Sequence, residues 1–228
     1  VRGLRVSYGK RPILRNVSFE IGEGELVGVL GANGCGKTTL LKAICGILPH
    51  AGECLLNGIA LEGLKPRQIA ELCGYIPQRS GVEIDLSVLD VVLMGFNPQL
   101  KLLEQPGNAM RERAIAALAQ VGLSEKAHEN YLHLSEGQKQ LCILARTLAA
   151  DSRLLLLDEP TSHLDTYSQL ALEKAIAEYK GAVLMVSHDF YNIVNCADYV
   201  LFVEDKSVRR MRIRTFRKMI YANHFRCA

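Results

Sequence analysis

Glycine, lysine and threonine residues crowd one short stretch near the start of the chain, in a spacing that suits phosphate chemistry. The stretch reads Gly31-Ala32-Asn33-Gly34-Cys35-Gly36-Lys37-Thr38-Thr39. It matches the pattern Gly-x-x-x-x-Gly-Lys-Ser/Thr of phosphate-binding loops. Because the glycines lack a Cβ, successive backbone N–H groups could turn inward around a phosphate chain. Lys37 would reach the β- and γ-phosphates of a nucleotide, and the hydroxyl of Thr38 would bind Mg²⁺.

The flanking segments bear on whether this stretch is a phosphate loop or a glycine-rich turn before an ordinary helix. Residues 26–30 are a short apolar run typical of a buried strand, and residues 39–44 have the pattern of a helix. A phosphate loop requires this strand–loop–helix context. The helix would add its free N–H groups and the positive end of its dipole to the anion site. The context therefore favours a phosphate loop.

Two adjacent acids follow a second buried strand. Residues 154–157 are all leucine, and Asp158 and Glu159 come directly after them. In a parallel sheet the carboxyl end of such a strand faces a ligand crevice. Asp158 would bind Mg²⁺ directly or through water, and Glu159 would orient or deprotonate the water that attacks the γ-phosphate. His188 follows the strand predicted over residues 182–187, where a neutral imidazole could hydrogen-bond the γ-phosphate or have a structural role only.

The rest of the pattern predicts an α/β fold with a helical insertion. Residues 4–8 and 13–21 alternate like strands, and the buried strand over residues 72–78 ends at the polar Gln78. From residue 86 to residue 150 the periodicity becomes helical. We therefore predict a P-loop NTPase core, with a mixed sheet and an antiparallel β subdomain, that carries an inserted α-helical subdomain. The predicted bounds are 1–79 and 151–205 for the α/β core, 80–150 for the helical subdomain and 206–228 for a basic C-terminal tail.

The composition and the charge distribution exclude several classes of protein. The 228 residues are 49% hydrophobic and 22% charged, which argues against a disordered or fibrous chain. Residues 206–228 hold eight Lys or Arg and no acid, so the remaining residues carry 19 basic against 24 acidic side chains, a balance of −5. Because the basic character belongs to the tail, we expect no nucleic-acid partner.

Location and cysteine content give two further expectations. No apolar stretch has the length of a membrane span, and the first residues lack a secretory apolar core, so the chain is expected in the cytosol. The seven cysteines are scattered, with no Cys-x-x-Cys pair. They predict free thiols, most of them in the core, and neither a zinc site nor a disulfide framework.

A set of motifs in a fixed order resembles the ATP-binding cassette proteins. Residues 134–138, Leu-Ser-Glu-Gly-Gln, lie just ahead of a helix and resemble the signature segment of that family, and residues 154–160 resemble its Walker B segment. The resemblance extends from Val1 to about Val203. In chain order the motifs are Tyr8, the phosphate loop, Gln78 of the Q-loop, the signature, Asp158-Glu159, the D-loop Ser162-His163-Leu164-Asp165 and the switch residue His188.

The resemblance implies an ATPase that works as a head-to-tail homodimer with two ATP molecules at the interface. Each ATP would lie between the phosphate loop of one subunit and Ser135, Gly137 and Gln138 of the other. The spacing alone favours Tyr8 as a half-buried sheet residue, whereas the resemblance implies that it stacks on adenine. Asp165 would interact with the opposite site. Gln78 would sense both Mg²⁺ and the attacking water.

The resemblance also implies membrane partners. The helical subdomain would dock against transmembrane permease subunits at the cytoplasmic face of the membrane, and a substrate-binding protein would act with them indirectly. Residues 90–98 resemble the segment after the Q-loop in ATPases of iron-siderophore, haem and cobalamin importers, so import of such a ligand is expected. The rival interpretation is a soluble cassette protein that regulates or binds ribosomes or DNA. A kinase or GTPase that shares only the phosphate loop would leave the signature and His188 unexplained.

Two positions depart from the family pattern. Glu136 stands where the family usually has Gly; its carboxylate would be harmless if it points to solvent and would weaken ATP binding if it points inward. We favour the solvent-facing arrangement. Asp205-Lys206 replaces an expected Asp-Gly turn, and the basic tail after it is expected to be solvated, with anionic lipid headgroups as a second possibility.

Overall fold

The computed structural model describes residues 1–78, 85–162, 164–188 and 190–224, with the backbone alone at residues 191, 192 and 220–224. The strands are β1 (Arg2–Tyr8), β2 (Arg11–Val17), β3 (Leu26–Leu30), β4 (Ala51–Glu53), β5 (Leu55–Leu56), β6 (Ile59–Ala60), β7 (Cys73–Ile76), β8 (Leu154–Asp158), β9 (Ala182–Val186), β10 (Tyr199–Glu204) and β11 (Ser207–Arg212). The helices are α1 (Lys37–Ile44), α2 (Pro66–Leu72), α3 (Val88–Leu93), α4 (Asn108–Gln120), α5 (Glu136–Ala150), α6 (Thr166–Ala177), α7 (Phe190–Cys196) and α8 (Ile213–His224). None of these helices, taken over the described residues, is both long and apolar enough to span a membrane.

The central sheet brings the predicted catalytic segments to one edge. Over the described residues it has six strands in the order β11-β10-β3-β9-β8-β7, of which β11 alone is antiparallel to its neighbour. Strands β3, β8 and β9 are buried along their whole length, as expected of parallel strands covered on both faces. They are neighbours and run parallel, so the phosphate loop after β3, Asp158 at the end of β8 and His188 after β9 emerge at the same edge.

A smaller antiparallel sheet, ordered β2-β1-β4, packs on one face of the core. Its buried side chains, among them Leu4 and Leu14, share a hydrophobic cluster with Leu40 and Leu41 of α1. The sheet is therefore packed against the helix that follows the phosphate loop. The strand predicted over residues 13–21 ends earlier than expected, at Val17.

The segment between β7 and β8 forms the helical insertion. It contains α3, α4 and α5, and the described residues from 85 to 150 include no strand apart from an isolated bridge. Ser87 caps α3, because its side chain accepts a hydrogen bond from the backbone N–H of Asp90. The predicted fold class is confirmed: a mixed α/β core with an antiparallel sheet and inserted helices. The exact subdomain bounds stay a prediction, and the junction at residues 79 and 80 lies outside the described residues.

The basic C-terminal segment is joined to the core, in contrast to the expected solvated tail. Strand β11 pairs with β10 along its full length, and Asp205 and Lys206 form the tight turn between them with φ of 49° and 64°. Two residues with positive φ are what a two-residue hairpin loop requires, so Lys206 takes the place of the usual glycine. Phe216 of α8 is 1% exposed and meets the ring of Phe190 edge-on at 6.1 Å. The arginines of β11 lie along the exposed edge of the sheet, where charged residues discourage unwanted strand pairing.

Candidate functional site

The phosphate loop has a backbone that side chains would disrupt. Gly36 stands before α1 with φ of 113°, and an added Cβ would lie 3.0 Å from the side chains of Ile13 and Leu14. At Gly31 an added Cβ would lie 2.5 Å from the carbonyl oxygen of Val203. Both positions need glycine because of conformation and space together.

Lys37 lies inside this loop. Its side chain donates hydrogen bonds from Nζ to the carbonyl oxygens of Gly31 at 2.8 Å and Ala32 at 3.0 Å, and the residue is only 7% exposed. A buried ammonium among backbone groups is suited to meet an anionic phosphate chain. Asn33, Gly34 and Cys35 complete the turn, with the N–H of Cys35 bonded to the carbonyl of Ala32 at 3.2 Å, and Thr39 lies in the first turn of α1.

Thr38 and Asp158 meet next to the loop although 120 residues separate them. The hydroxyl of Thr38 donates to Oδ1 of Asp158 at 3.0 Å, and the hydroxyl of Tyr75 lies 3.3 Å from Oδ2. Asp158 is 3% exposed. Burial and the neighbouring carboxylate raise the pKa of Tyr75, so its hydroxyl stays protonated and donates. A hydroxyl and a carboxylate oxygen at this distance are the hard donors that suit Mg²⁺, so the residues fit that ion.

Glu159 and His188 form a second pair. Glu159 has φ of 51°, and its N–H donates to the carbonyl oxygen of Val186 at 2.9 Å. Its Oε2 accepts from the backbone N–H of His188 at 3.0 Å, and Oε1 lies 2.9 Å from the imidazole Nε2. Burial raises the pKa of the Glu159 carboxyl above its ordinary 4.5, and His188 opposes part of that rise. A carboxylate with increased proton affinity at this place is suited to general-base chemistry.

Two predicted site residues stand apart from these pairs. Tyr8 ends β1 with 52% of its surface exposed, and its side chain hydrogen-bonds to no other described residue. Gln78 is exposed two residues after the end of β7, just before the first gap in the described chain. Tyr8 is open to a stacking partner, and the roles predicted for both residues stay predictions.

The signature segment forms the beginning of α5. Ser135 caps the helix: its Oγ accepts from the N–H of Gln138 at 3.2 Å, and Oε1 of Gln138 accepts from the N–H of Ser135 at 3.1 Å. Both side chains therefore have a local structural role beside the predicted one. Glu136 points to solvent, with 79% of its side chain exposed and Oε1 2.8 Å from Nζ of Lys139. This is the arrangement favoured from the sequence.

Asp165 of the D-loop lies against the signature segment of the same chain. It caps α6 by accepting from the N–H of Ser168 at 2.8 Å and from the Ser168 hydroxyl at 3.1 Å, and these bonds hold the pKa of its carboxyl below the usual range. A Cβ added to Gly137 would lie 2.8 Å from Oγ of Ser168, so the two helix starts are closely packed. A cleft of about 460 Å³ beside them is lined in part by Ser135, Gln138 and Asp165. His163 lies outside the described residues.

Sequence reasoning missed two contributors to this arrangement, Tyr75 and Ser168. Tyr75 supplies a second donor to Asp158 from the neighbouring strand. Its phenol in an otherwise buried apolar strand was a signal that a polar partner lies nearby. Ser168 was detectable as the residue three positions after a capping Asp. Neither signal in the sequence identifies the residue that Tyr75 or Ser168 contacts.

Known proteins resemble this chain over nearly its whole length. The manganese transport system ATP-binding protein MntB of Bacillus subtilis is 36% identical over 208 residues, which cover 89% of this chain and 82% of that protein. The hemin import ATP-binding protein HmuV of Bordetella pertussis is 38% identical over 217 residues, covering 90% and 82%. A solved transporter assigned to the metal-chelate type, in an inward-facing conformation, superposes with a TM-score of 0.79 at 28% identity, covering 94% of this chain and 83% of its own. The chain also matches the ABC transporter family over residues 14–162, more than half of its length. It therefore belongs to the ABC transporter family and is an ATP hydrolase of that family.

Proposed function

We propose that this chain is the ATP-hydrolysing subunit of a transporter that imports a metal-containing ligand. The observation that carries the catalytic part is the contact of Thr38 with Asp158 at 3.0 Å, beside the pair of Glu159 and His188. Together, these two contacts join the phosphate loop to the carboxyl ends of β8 and β9, which are neighbouring strands. One edge of the sheet thus offers a phosphate cradle, a place for Mg²⁺ and a base.

Each residue of this edge has a distinct part in the proposed hydrolysis. The N–H groups of the loop and the ammonium of Lys37 would bind the phosphates, and Thr38 and Asp158 would hold Mg²⁺, which would supply positive charge to the phosphate chain. Glu159 accepts a proton from the attacking water. His188, paired with Glu159 here, keeps that carboxylate in place and would hydrogen-bond the γ-phosphate when ATP is bound.

We propose that the active assembly is a head-to-tail homodimer. The start of α5, with Ser135, Gly137 and Gln138, would face the γ-phosphate held by the loop of the partner subunit. A helix start presents free N–H groups and the positive dipole end, which suits an anion. Asp165 packs against the same helix start, so we propose that it links one site to the other. Tyr8 would stack on adenine, and Gln78 would contact Mg²⁺ and the attacking water.

The helical insertion is the proposed docking surface for the permease at the cytoplasmic face of the membrane. Between α3 and α4 the chain exposes two adjacent leucines, Leu102 at 91% and Leu103 at 95%. Large apolar side chains exposed side by side favour contact with a partner protein. In the transporter, a substrate-binding protein would deliver the ligand to the permease.

The proposed cargo is a metal chelate, with an iron-siderophore, haem or cobalamin as the expected forms. The similarity to a hemin import subunit and to a transporter assigned to the metal-chelate type supports this class. The similarity to a manganese transport subunit supports a free metal ion as a second candidate. Both candidates are metal-containing ligands that enter through a permease.

The test is a pull-down of the tagged full chain from its native host in mild detergent, with identification of the recovered proteins by mass spectrometry. We expect a polytopic permease, and the ligand of any recovered binding protein would identify the cargo. Substitution of Leu102 and Leu103 by Asp should reduce permease recovery, whereas Ile47→Asp, at a residue 56% exposed elsewhere on the surface, should not. Recovery of ribosomal or only soluble partners would overturn the import proposal and leave the ATPase chemistry in place.

A further inference from the structure

Three side chains of different chemistry converge on the side of the molecule away from the phosphate loop. A ring nitrogen of His50, the thiol of Cys54 and a carboxylate oxygen of Glu62 all lie within 4.8 Å of one another. His50 precedes β4, Cys54 follows it, and Glu62 lies in a 3₁₀ turn after β6. The three residues thus come from a single segment of 13 residues that folds back on itself.

Two hydrogen bonds to the backbone of Cys54 hold this arrangement in place, and they leave the imidazole of His50 and the thiol of Cys54 unused. A carboxylate oxygen of Glu62 accepts a hydrogen bond from the N–H of Cys54, and the N–H of Leu61 donates to the carbonyl oxygen of Cys54 at 2.9 Å. The backbone of Cys54 is therefore fixed at both its N–H and its carbonyl group. A site built on such fixed backbone needs only small side-chain rotations to close.

His50 carries a buried nitrogen without a hydrogen-bond partner. Its Nδ1 is shielded from solvent and has no hydrogen-bond partner among the residues that the structure describes. Buried polar side-chain atoms in proteins are nearly always paired, so an unpaired nitrogen on an imidazole that lies beside a thiol and a carboxylate points to a ligand. Cys54 is also buried, at 1% exposure.

We propose that His50, Cys54 and Glu62 bind one Zn²⁺ ion, with water as the fourth ligand. Imidazole, thiolate and carboxylate are the donors that Zn²⁺ takes in tetrahedral sites, whereas Mg²⁺ prefers oxygen alone. With Zn–S of about 2.3 Å and Zn–N of about 2.1 Å, tetrahedral donors lie roughly 3.5 Å apart. Rotation of the exposed Glu62 side chain and of the half-buried His50 side chain would bring the three ligand atoms from their present separations to that distance.

Binding would exchange a proton for the metal. Burial, together with the charge of Glu62, raises the pKa of the Cys54 thiol to about 11, so without metal the thiol stays protonated. Zn²⁺ displaces that proton to solvent as the Zn–S bond forms. The scattered cysteine pattern hid this site, because a single cysteine completed by His and Glu has no Cys-x-x-Cys spacing.

This site is separate from the proposed catalytic edge. Lys37 begins α1 and Ile44 ends it, so the helix alone puts roughly 12 Å between the phosphate loop and the segment that contains His50. Zn²⁺ binding is therefore expected without nucleotide and does not depend on the proposed transport function.

The experiment is a competition for Zn²⁺ between the purified full chain and a chromophoric chelator, with Mg²⁺ in excess to fill oxygen-only sites. We expect one Zn²⁺ per chain. Cys54→Ser and His50→Ala should each weaken binding by more than about 100-fold, because even outer-shell changes cost 10- to 100-fold. Cys196→Ser and His128→Ala remove an exposed thiol and an exposed imidazole elsewhere and should leave the affinity unchanged.

Two further measurements separate loss of a ligand from loss of the fold. Glu62→Gln keeps an oxygen that can accept from the N–H of Cys54, so this variant should fold normally. Its affinity for Zn²⁺ should nevertheless be at least tenfold lower than that of the wild type. Co²⁺ in place of Zn²⁺ should give a thiolate-to-metal charge-transfer band in the wild type and in Cys196→Ser. Absence of that band in the wild type, or Zn²⁺ affinity that Glu62→Gln and Cys54→Ser leave unchanged, would overturn the proposal.

Discussion

Replacing Glu159 by Gln tests the proposed base with little change in shape. An amide keeps an oxygen that can accept from the N–H of His188, the contact that Oε2 makes at 3.0 Å. The variant loses the negative charge and the ability to take a proton. A positioned general base contributes about 10²- to 10⁴-fold to a rate, which is about 2.7–5.5 kcal/mol of barrier. We therefore expect the rate of ATP hydrolysis to fall by that factor while ATP still binds.

The direction in which Glu159→Gln changes the free energy of unfolding follows from the pKa of Glu159. Burial raises the pKa of Glu159 in the folded chain above its ordinary 4.5, so the folded state holds this proton more tightly than the unfolded state. The contribution of Glu159 to the free energy of unfolding is thus fully present below pH 4.5 and is lost as the pH rises through the folded pKa. Because Gln does not titrate, the free energy of unfolding of the Glu159→Gln variant has no such loss at high pH. We expect Glu159→Gln to match or exceed the wild-type thermal midpoint at pH 8, so that lost turnover cannot be assigned to unfolding.

The assay follows phosphate release at saturating ATP, together with ATP affinity from a fluorescent analogue and the thermal midpoint. Glu136→Gln is the matched control, because it makes the same chemical change at a carboxylate that is 79% exposed and paired only with Lys139 among the described residues. It should keep wild-type turnover. A rate for Glu159→Gln within tenfold of wild type would refute the assignment of Glu159 as the base.

Four other substitutions test separate parts of the molecule. Lys37→Ala should weaken ATP binding about 10- to 100-fold, because hydrogen bonds to charged groups contribute about 1.5–3 kcal/mol; equal affinity in a nucleotide titration would contradict the phosphate role. Tyr75→Phe should raise the Mg²⁺ concentration needed for half-maximal hydrolysis by up to about tenfold, since it removes one donor to Asp158; an unchanged Mg²⁺ titration would show that the contact does not position that carboxylate. Glu136→Gly should leave ATP affinity and turnover unchanged, and a gain in either would mean that its carboxylate opposes ATP. Phe216→Ala should lower the free energy of unfolding by about 3–5 kcal/mol in urea denaturation, whereas a solvated tail would show no loss.

The catalytic edge was predictable because parallel strands put their carboxyl ends together. Asp158 and His188 were identified as the residues that follow buried strands, and the neighbouring order of β3, β9 and β8 makes those positions converge. The phosphate loop was predictable for a similar reason, since only glycine fits the backbone at Gly31 and Gly36. In both cases a local rule determined the geometry.

Contacts between distant segments were not predictable in this way. The packing of Gly137 on Ser168 depends on how the helical insertion lies against the core, which no local pattern encodes. The docking of Phe216 on Phe190 was hidden by the arginines around it, because their charge suggested a solvated segment. An amphipathic helix with a strongly basic exposed face can still bury one large aromatic ring, and that burial decides where the segment lies.

Adjacent acids can serve different functions here because the backbone turns sharply between them. Asp158 is the last residue of β8 and faces Thr38, whereas Glu159 has the left-handed φ of 51° and faces the end of β9. That conformation costs a residue with a Cβ roughly 1–2 kcal/mol, and it persists only where surrounding contacts fix it. The N–H of Glu159 bonds to Val186 at 2.9 Å, and its carbonyl oxygen accepts from the N–H of Ser162 at 3.1 Å. Because these backbone bonds remain in Glu159→Gln, the strained turn should survive the substitution, which is why a loss of turnover in that variant would report on the carboxylate itself.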